Sequence, residues 1–286
     1  MAVRRGQSSR RARPTRGPAT VGLLGVPFDA NSSHLRGAAE APAAIRTALG
    51  RDSGNAYSER GIEVWPSKTS LDLGDLRVPA LAGSVRPIDR IARGVGEALI
   101  AVPRLMLLGG DHAVSYPAVR AAAAVHGAIS LLHFDAHPDM YDDYEGNRYS
   151  HASPMARILE EGLVRRLVQL GIRSHTPEQA ARARRHGVES YGATASAWPS
   201  LRFSEPVYVS FDVDVLDPAF APGVSHPEPG GPSVRQVLDA LASIRAPGIV
   251  MADVVELNPR RDRSGGSAVV AAKVVRELVA LMKAGA

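Results

Sequence analysis

The 286-residue sequence contains no cysteine. That absence excludes a disulfide framework, a thiolate-ligated zinc or iron–sulfur centre and a cysteine nucleophile, and it fits a reducing cytoplasm. Nowhere does the chain offer the roughly 18 consecutive apolar residues of a membrane span. Aromatic residues make up only 5%, which argues against the stacking platforms on which nucleic-acid-binding proteins lay bases. No internal repeat or interior linker is visible. With 45% hydrophobic and 22% charged residues, what remains is the profile of a folded domain able to bury a substantial core.

A net charge of +5 invites a polyanion-binding reading. Residues 1–18, however, carry Arg4, Arg5, Arg10, Arg11, Arg13 and Arg16 and no acid, so subtracting those six leaves −1 for the rest of the chain. The basicity belongs to the tail. Lacking the apolar stretch of a secretory signal, the tail reads as a solvated arm. Its composition also matches an organelle transit peptide or a nucleic-acid arm. Residues 19–286 then form a single domain.

From Thr20 onward, short apolar runs ending in Gly, Asp or Pro alternate with Ala/Leu/Arg segments of helical spacing, the signature of an α/β fold. Strands are expected at 21–26, 104–108, 129–134, 167–172, 207–211 and 249–255. Helices are expected at 41–49, 88–100, 116–126, 154–161, 177–186, 234–244 and 268–282. Several strands are too uniformly apolar to have a wet face, as in parallel sheets covered on both sides.

The chemistry lies immediately after three of these strands, at the carboxyl ends where open parallel sheets bind ligands. The segments are Gly109-Gly110-Asp111-His112, Asp135-Ala136-His137-Pro138-Asp139 and Asp212-Val213-Asp214. Alone, the first reads as a tight turn and the last as a helix cap. Together they deliver His112, His137, Asp135, Asp139, Asp212 and Asp214 to one rim, where unpaired carboxylates repel one another unless a cation joins them. Carboxylate and imidazole without sulfur suit a hard to borderline divalent ion such as Mn²⁺, with Ni²⁺ or Co²⁺ equally acceptable to the ligands. Six side chains are too many for one open catalytic ion but suit two ions about 3.5–4 Å apart, a pair suited to metal-assisted hydrolysis.

These motifs, with SFDVDVLD at 210–217 and DVVELNP at 253–259, resemble the ureohydrolase family of arginases and agmatinases. The stretches DAHPDMYDDYEGNRYSHAS and DPAFAPGVSHPEPGG look most like its plant-type arginases. The resemblance runs from about Val21 to Lys283 and implies a single three-layer α/β/α domain around a central, mostly parallel sheet. It implies one Mn²⁺ held by His112, Asp135, Asp139 and Asp212, and another held by Asp135, His137, Asp212 and Asp214. A hydroxide shared by the pair would attack a guanidinium carbon, releasing urea and an amine.

Glu256 matches the family carboxylate that grips the guanidinium, His151 the histidine that passes protons to the leaving amine, and Asp139 joins them as a catalytic candidate. His226 falls beside the guanidinium in the plant-type pattern. Asn147 and Arg148, just before His151, are expected at the pocket mouth, where Arg148 would favour the α-carboxylate of L-arginine over agmatine. Ala113 replaces the serine that many relatives carry after GGDH, and Ser174 to Thr176 lacks the acid that animal arginases use on the α-amino group. The expectation is therefore a cytoplasmic arginase, assembled as a homo-oligomer (trimer or hexamer), without membrane or nucleic-acid partner. Agmatine, guanidinobutyrate, guanidine and formiminoglutamate are the competing substrates. A non-catalytic metal-binding homologue or an arm-mediated nucleic-acid binder is the alternative of another class.

Overall fold

The computed structural model of the chain describes residues 20–52 and 54–285, so the basic arm at 1–18 lies outside the described residues. Strands β1 (Val21–Gly25), β2 (Ser70–Asp75), β3 (Arg104–Leu108), β4 (Ser130–Phe134), β5 (Arg166–Leu170), β6 (Glu189–Tyr191), β7 (Val207–Asp212) and β8 (Ile249–Val255) form one sheet. Their order is β2-β1-β3-β8-β7-β4-β5-β6. Every neighbouring pair is parallel, so all eight carboxyl ends share one rim.

Seven helices cover the faces: α1 (Ala41–Leu49), α2 (Val85–Ala101), α3 (Ser115–His126), α4 (Pro154–Glu160), α5 (Pro177–Arg185), α6 (Val234–Ser243) and α7 (Gly266–Ala284). The two-residue period of a strand sends alternate side chains to opposite faces. In β3, Met106 and Leu108 join a core built with α1, α6 and α7. Leu105 and Leu107 join a second core with α2, α3 and α4. Each such leucine contributes about 1.5–3 kcal/mol on burial, and because both faces are covered the strands read as continuous apolar runs.

The architecture is the expected three-layer α/β/α domain, with two strands beyond the six foreseen. Both lie at the sheet edges. β2 keeps half its surface wet and carries Asp72, Gly74 and Asp75, and β6 has only three residues, so neither has the apolar run that marks a central strand. Among the described residues no helix is long and apolar enough to cross a membrane. The four central strands β3, β8, β7 and β4 end where the acidic and histidine motifs begin.

Candidate functional site

β3 leaves the sheet through Gly109 and Gly110. A Cβ on Gly110 would stand 1.8 Å from the carbonyl oxygen of Phe28, so only glycine lets this exit run against the chain that follows β1. The N–H of Asp111 then donates to that same carbonyl at 2.8 Å, which fixes His112 over the sheet. After β7, the Asp212 carboxylate accepts the N–H of Asp214 at 2.8 Å. That tight turn presents both acids on one side.

The six side chains fall into two groups that share Asp135. His112 Nδ1 lies 3.0 Å from Asp135 Oδ2, 3.0 Å from Asp139 Oδ2 and 3.1 Å from Asp212 Oδ2. His137 Nδ1 lies 3.1 Å from Asp214 Oδ2 and 3.4 Å from Asp135 Oδ1. Although three carboxylate oxygens crowd it, buried His112 Nδ1 has no aligned hydrogen-bond partner. An orphaned imidazole nitrogen facing converging carboxylates is the donor set a divalent cation requires, so the residues fit a metal centre. On its far side His112 Nε2 is 2.9 Å from Ser210 Oγ, which donates to Asp253 at 2.8 Å. That hydroxyl therefore accepts the Nε2 proton, leaving the Nδ1 lone pair for the centre.

The electrostatics say the same. Burial and the neighbouring acids push Asp212 well above the usual carboxylate range and Asp214 up to about 6. For Asp135 burial acts upward too, but the imidazoles of His133, His112 and His137 outweigh it and hold the acid well below that range. Burial would lower His137, yet Asp214 and Asp135 bring it up to about 12. The cluster thus demands positive charge, which protons supply in the metal-free protein and which a cation would supply while releasing them.

Asp139 and Glu256 both adopt left-handed backbone, with φ of 53° and 63°, a conformation costing about 1–2 kcal/mol for a residue with a Cβ. At Glu256 the surroundings hold it: its N–H donates to Gly110 O at 2.9 Å. Its Oε1 accepts the backbone N–H of His112 at 2.7 Å and pairs with His151 Nδ1 at 2.9 Å. His151 Nε2 is 2.8 Å from Ser33 Oγ. Burial would depress His151, but Glu256 brings it up to about 9. Beside it, with ring centroids 5.1 Å apart, His226 is pushed down to about 4 by burial and by His151.

A pocket of about 300 Å³ opens over this floor and is lined by Glu256, His151, His226 and five of the six metal candidates, with Ser33, Tyr141, Tyr144, Ser174 and Thr176 toward its mouth. The expectation for Arg148 needs correction. It does not line the pocket; its side chain is half exposed and pairs with Glu160 at 2.6 Å and Asp142 at 3.4 Å. Long flexible cations take carboxylates within reach, and Glu160 at the end of α4 supplies one. Asn147 is also absent from the lining. It donates instead to Asn31 Oδ1 at 3.1 Å, which ties the loop before His151 to the segment after β1.

Among the residues that escaped the sequence reading, three stand close to the site. Asn31 accepts the His151 N–H on its carbonyl and donates its own N–H to Asp111, a backbone role without a motif. Arg173 spends its guanidinium on four backbone carbonyls, those of Gly171, Asp214, Val215 and Glu228. His133, buried in β4, lies 2.8 Å from Asp135 Oδ2. Its spacing of two from Asp135 in an apolar strand was the available signal.

The family model for arginases matches residues 19–281. The chain belongs to the arginase family. Arginase 1, mitochondrial, of Arabidopsis thaliana is 47% identical over 277 residues, covering 92% of this chain and 81% of that protein. The solved arginase of Medicago truncatula superposes with a TM-score of 0.87 at 44% identity, covering 93% of this chain and 88% of the other. Proclavaminate amidinohydrolase of Streptomyces clavuligerus follows with a TM-score of 0.85 at 32% identity, covering 96% and 95%. Among arginases the plant enzymes are thus close relatives, and the chain is a hydrolase of the arginase type built around a buried histidine–aspartate centre.

Proposed function

We propose that the chain hydrolyses L-arginine to L-ornithine and urea with two Mn²⁺ ions. His112, Asp135, Asp139 and Asp212 would hold one ion, and Asp135, His137, Asp212 and Asp214 the other. The near-equal 3.0–3.1 Å spacings around His112 Nδ1 support the first set. When bound, the ion pair supplies a water acidic enough to act as a nucleophile near neutral pH.

The observation that carries the reading is the Glu256–His151 pair on the pocket floor. Both Glu256 hydrogen bonds fall on Oε1, which leaves Oε2 to accept from a guanidinium and orient its carbon toward the centre. His151 gives its proton to the leaving amine and recovers one through Ser33, 2.8 Å from Nε2. His226, kept neutral by its neighbours, adds no like charge against the guanidinium. With Arg148 turned away, Asp139 stays on the floor and Tyr141, Tyr144, Ser174 and Thr176 are left to meet the substrate's far end.

Arginine is favoured over other guanidines because relatives named arginase reach 42–47% identity. The amidinohydrolase and the guanidinopropionase stand at 34% and 37%. The test is a panel of arginine, agmatine, guanidinobutyrate, guanidinopropionate, guanidine and formiminoglutamate on protein of measured metal content. Urea must appear far faster from arginine than from any other; equal turnover of agmatine overturns the assignment.

A homo-oligomer, trimer or hexamer, belongs to the same proposal, and light scattering tests it. We propose a cytoplasmic location, which microscopy of the tagged full-length chain tests. Because plant relatives are named mitochondrial or chloroplastic, the sequence-stretch to delete in a localisation experiment is 1–18.

A further inference from the structure

His133 sits fully buried in β4, two residues before Asp135, and its register partner on β5 is Gln169, also fully buried. The Gln169 Nε2 lies 2.8 Å from Pro138 O and 3.1 Å from His133 Nδ1, while its Oε1 accepts from Ser190 Oγ at 2.8 Å. A carbonyl oxygen can only accept, so the amide group facing Pro138 is the NH₂ end. The second N–H of that same group then points at His133 Nδ1, which must present a lone pair. The ring proton is therefore on Nε2, 2.8 Å from Asp135 Oδ2. His133 stands close enough to His112, Asp135 and Asp139 to be counted among possible ligands. This tautomer makes it a donor to a carboxylate instead.

We propose that His133 and Gln169 are positioning residues for the metal centre: the Ser190–Gln169–His133 chain fixes the tautomer that donates to Asp135 Oδ2 and holds this carboxylate with Oδ2 toward His112 and Oδ1 toward His137. The proposal rests on reading Asp135 as the shared ligand. Asp135 Oδ1 is held separately, by the His137 N–H at 2.6 Å. Among the described residues His133 is the one that restrains Oδ2 from the sheet side, because the other group near that oxygen is His112 Nδ1, whose lone pair serves the metal. Deep burial makes each of these hydrogen bonds stronger than it would be in water, and outer partners of ligating carboxylates typically govern affinity by about 10–100-fold.

The test measures Mn²⁺ affinity of the full-length protein by chelator competition. His133→Phe keeps a planar ring but cannot donate, and is expected to weaken Mn²⁺ binding about 10–100-fold. Gln169→Leu, which frees the tautomer, is expected to weaken it in the same direction by less. The double variant is expected to lose less than the sum of the two single losses, because the part of Gln169's effect that runs through His133 is already gone in His133→Phe, while its bond to Pro138 O contributes separately. A pair of residues that merely pack would give additive losses, and additivity overturns the proposal. So does wild-type affinity in either single variant, and if His133→Phe does not fold, Gln169→Leu decides alone. Asp135→Asn run in parallel separates the two ideas. Retention of two tightly held ions there defeats the shared-ligand reading, whereas loss of metal there with wild-type affinity in both single variants defeats only the positioning role.

Discussion

His151 Nδ1 lies 2.9 Å from Glu256 Oε1, and the same oxygen accepts the backbone N–H of His112 at 2.7 Å. One carboxylate oxygen thus joins the group that handles protons to the turn that carries a metal candidate. Burial alone would depress His151, but Glu256 raises it from the ordinary 6.5 to about 9. The stabilisation carried by the His151 proton is complete below pH 6.5 and is lost as pH rises through about 9, while Glu256, opposed by burial but held below its ordinary value by His151, keeps its charge until acid pH. In metal-free protein the His151 ring resonance should therefore titrate near 9. In Glu256→Gln it should titrate lower than in the parent, since the largest contribution opposing burial is gone and only Asp111 and Asp139 still favour the charged ring. An unchanged titration in that variant would mean another group holds the proton.

His151→Ala should leave the bound metal intact, because His151 lies in neither carboxylate group, and should slow kcat by about 100-fold. Elemental analysis beside steady-state kinetics checks both halves. Loss of metal in this variant would assign His151 to the centre itself.

Arg148→Ala should leave KM for the substrate unchanged, since the guanidinium is engaged with Glu160 and Asp142 outside the pocket. The stability cost should stay below about 1 kcal/mol, as for exposed ion pairs in general. A tenfold rise in KM for arginine with none for agmatine would restore a carboxylate-binding role to Arg148.

Gly110→Ala should destabilise the fold by about 3 kcal/mol, because its Cβ meets the Phe28 carbonyl at 1.8 Å and backbone on both sides must move. The same shift displaces His112, so metal retention should fall with thermal stability. A melting temperature equal to the parent's would show that the two strand exits are looser than their hydrogen bond implies.

The central strands and all seven helices were legible because burial on both faces writes itself as apolar runs and amphipathic spacing; 104–108 and 249–255 match β3 and β8 residue for residue. The edges were not, since β2 and β6 owe their pairing to a neighbour's backbone and little to their own side chains. At the site, ligating chemistry needs particular residue types at particular spacings, so the acids and histidines stood out. Arg148 shows the converse. A charge near a motif says nothing of which partner its flexible stem will reach, and only the position of Glu160 on α4 decides it. Gln169 was hidden for a similar reason, because its role depends on a register across two strands that no local pattern records.

In chain order β3 and β4 are made before β7 and β8, yet in the sheet β8 and β7 lie between them. His112 and Asp135 therefore start on opposite sides of a gap that the last third of the chain must fill before Asp212, Asp214 and Glu256 arrive. A nascent or truncated chain that stops short of β7 holds fragments of a cation site and never the site. Metal then adds its binding free energy to one species only, the completed sheet, and so acts as an inspector of assembly as well as a reagent.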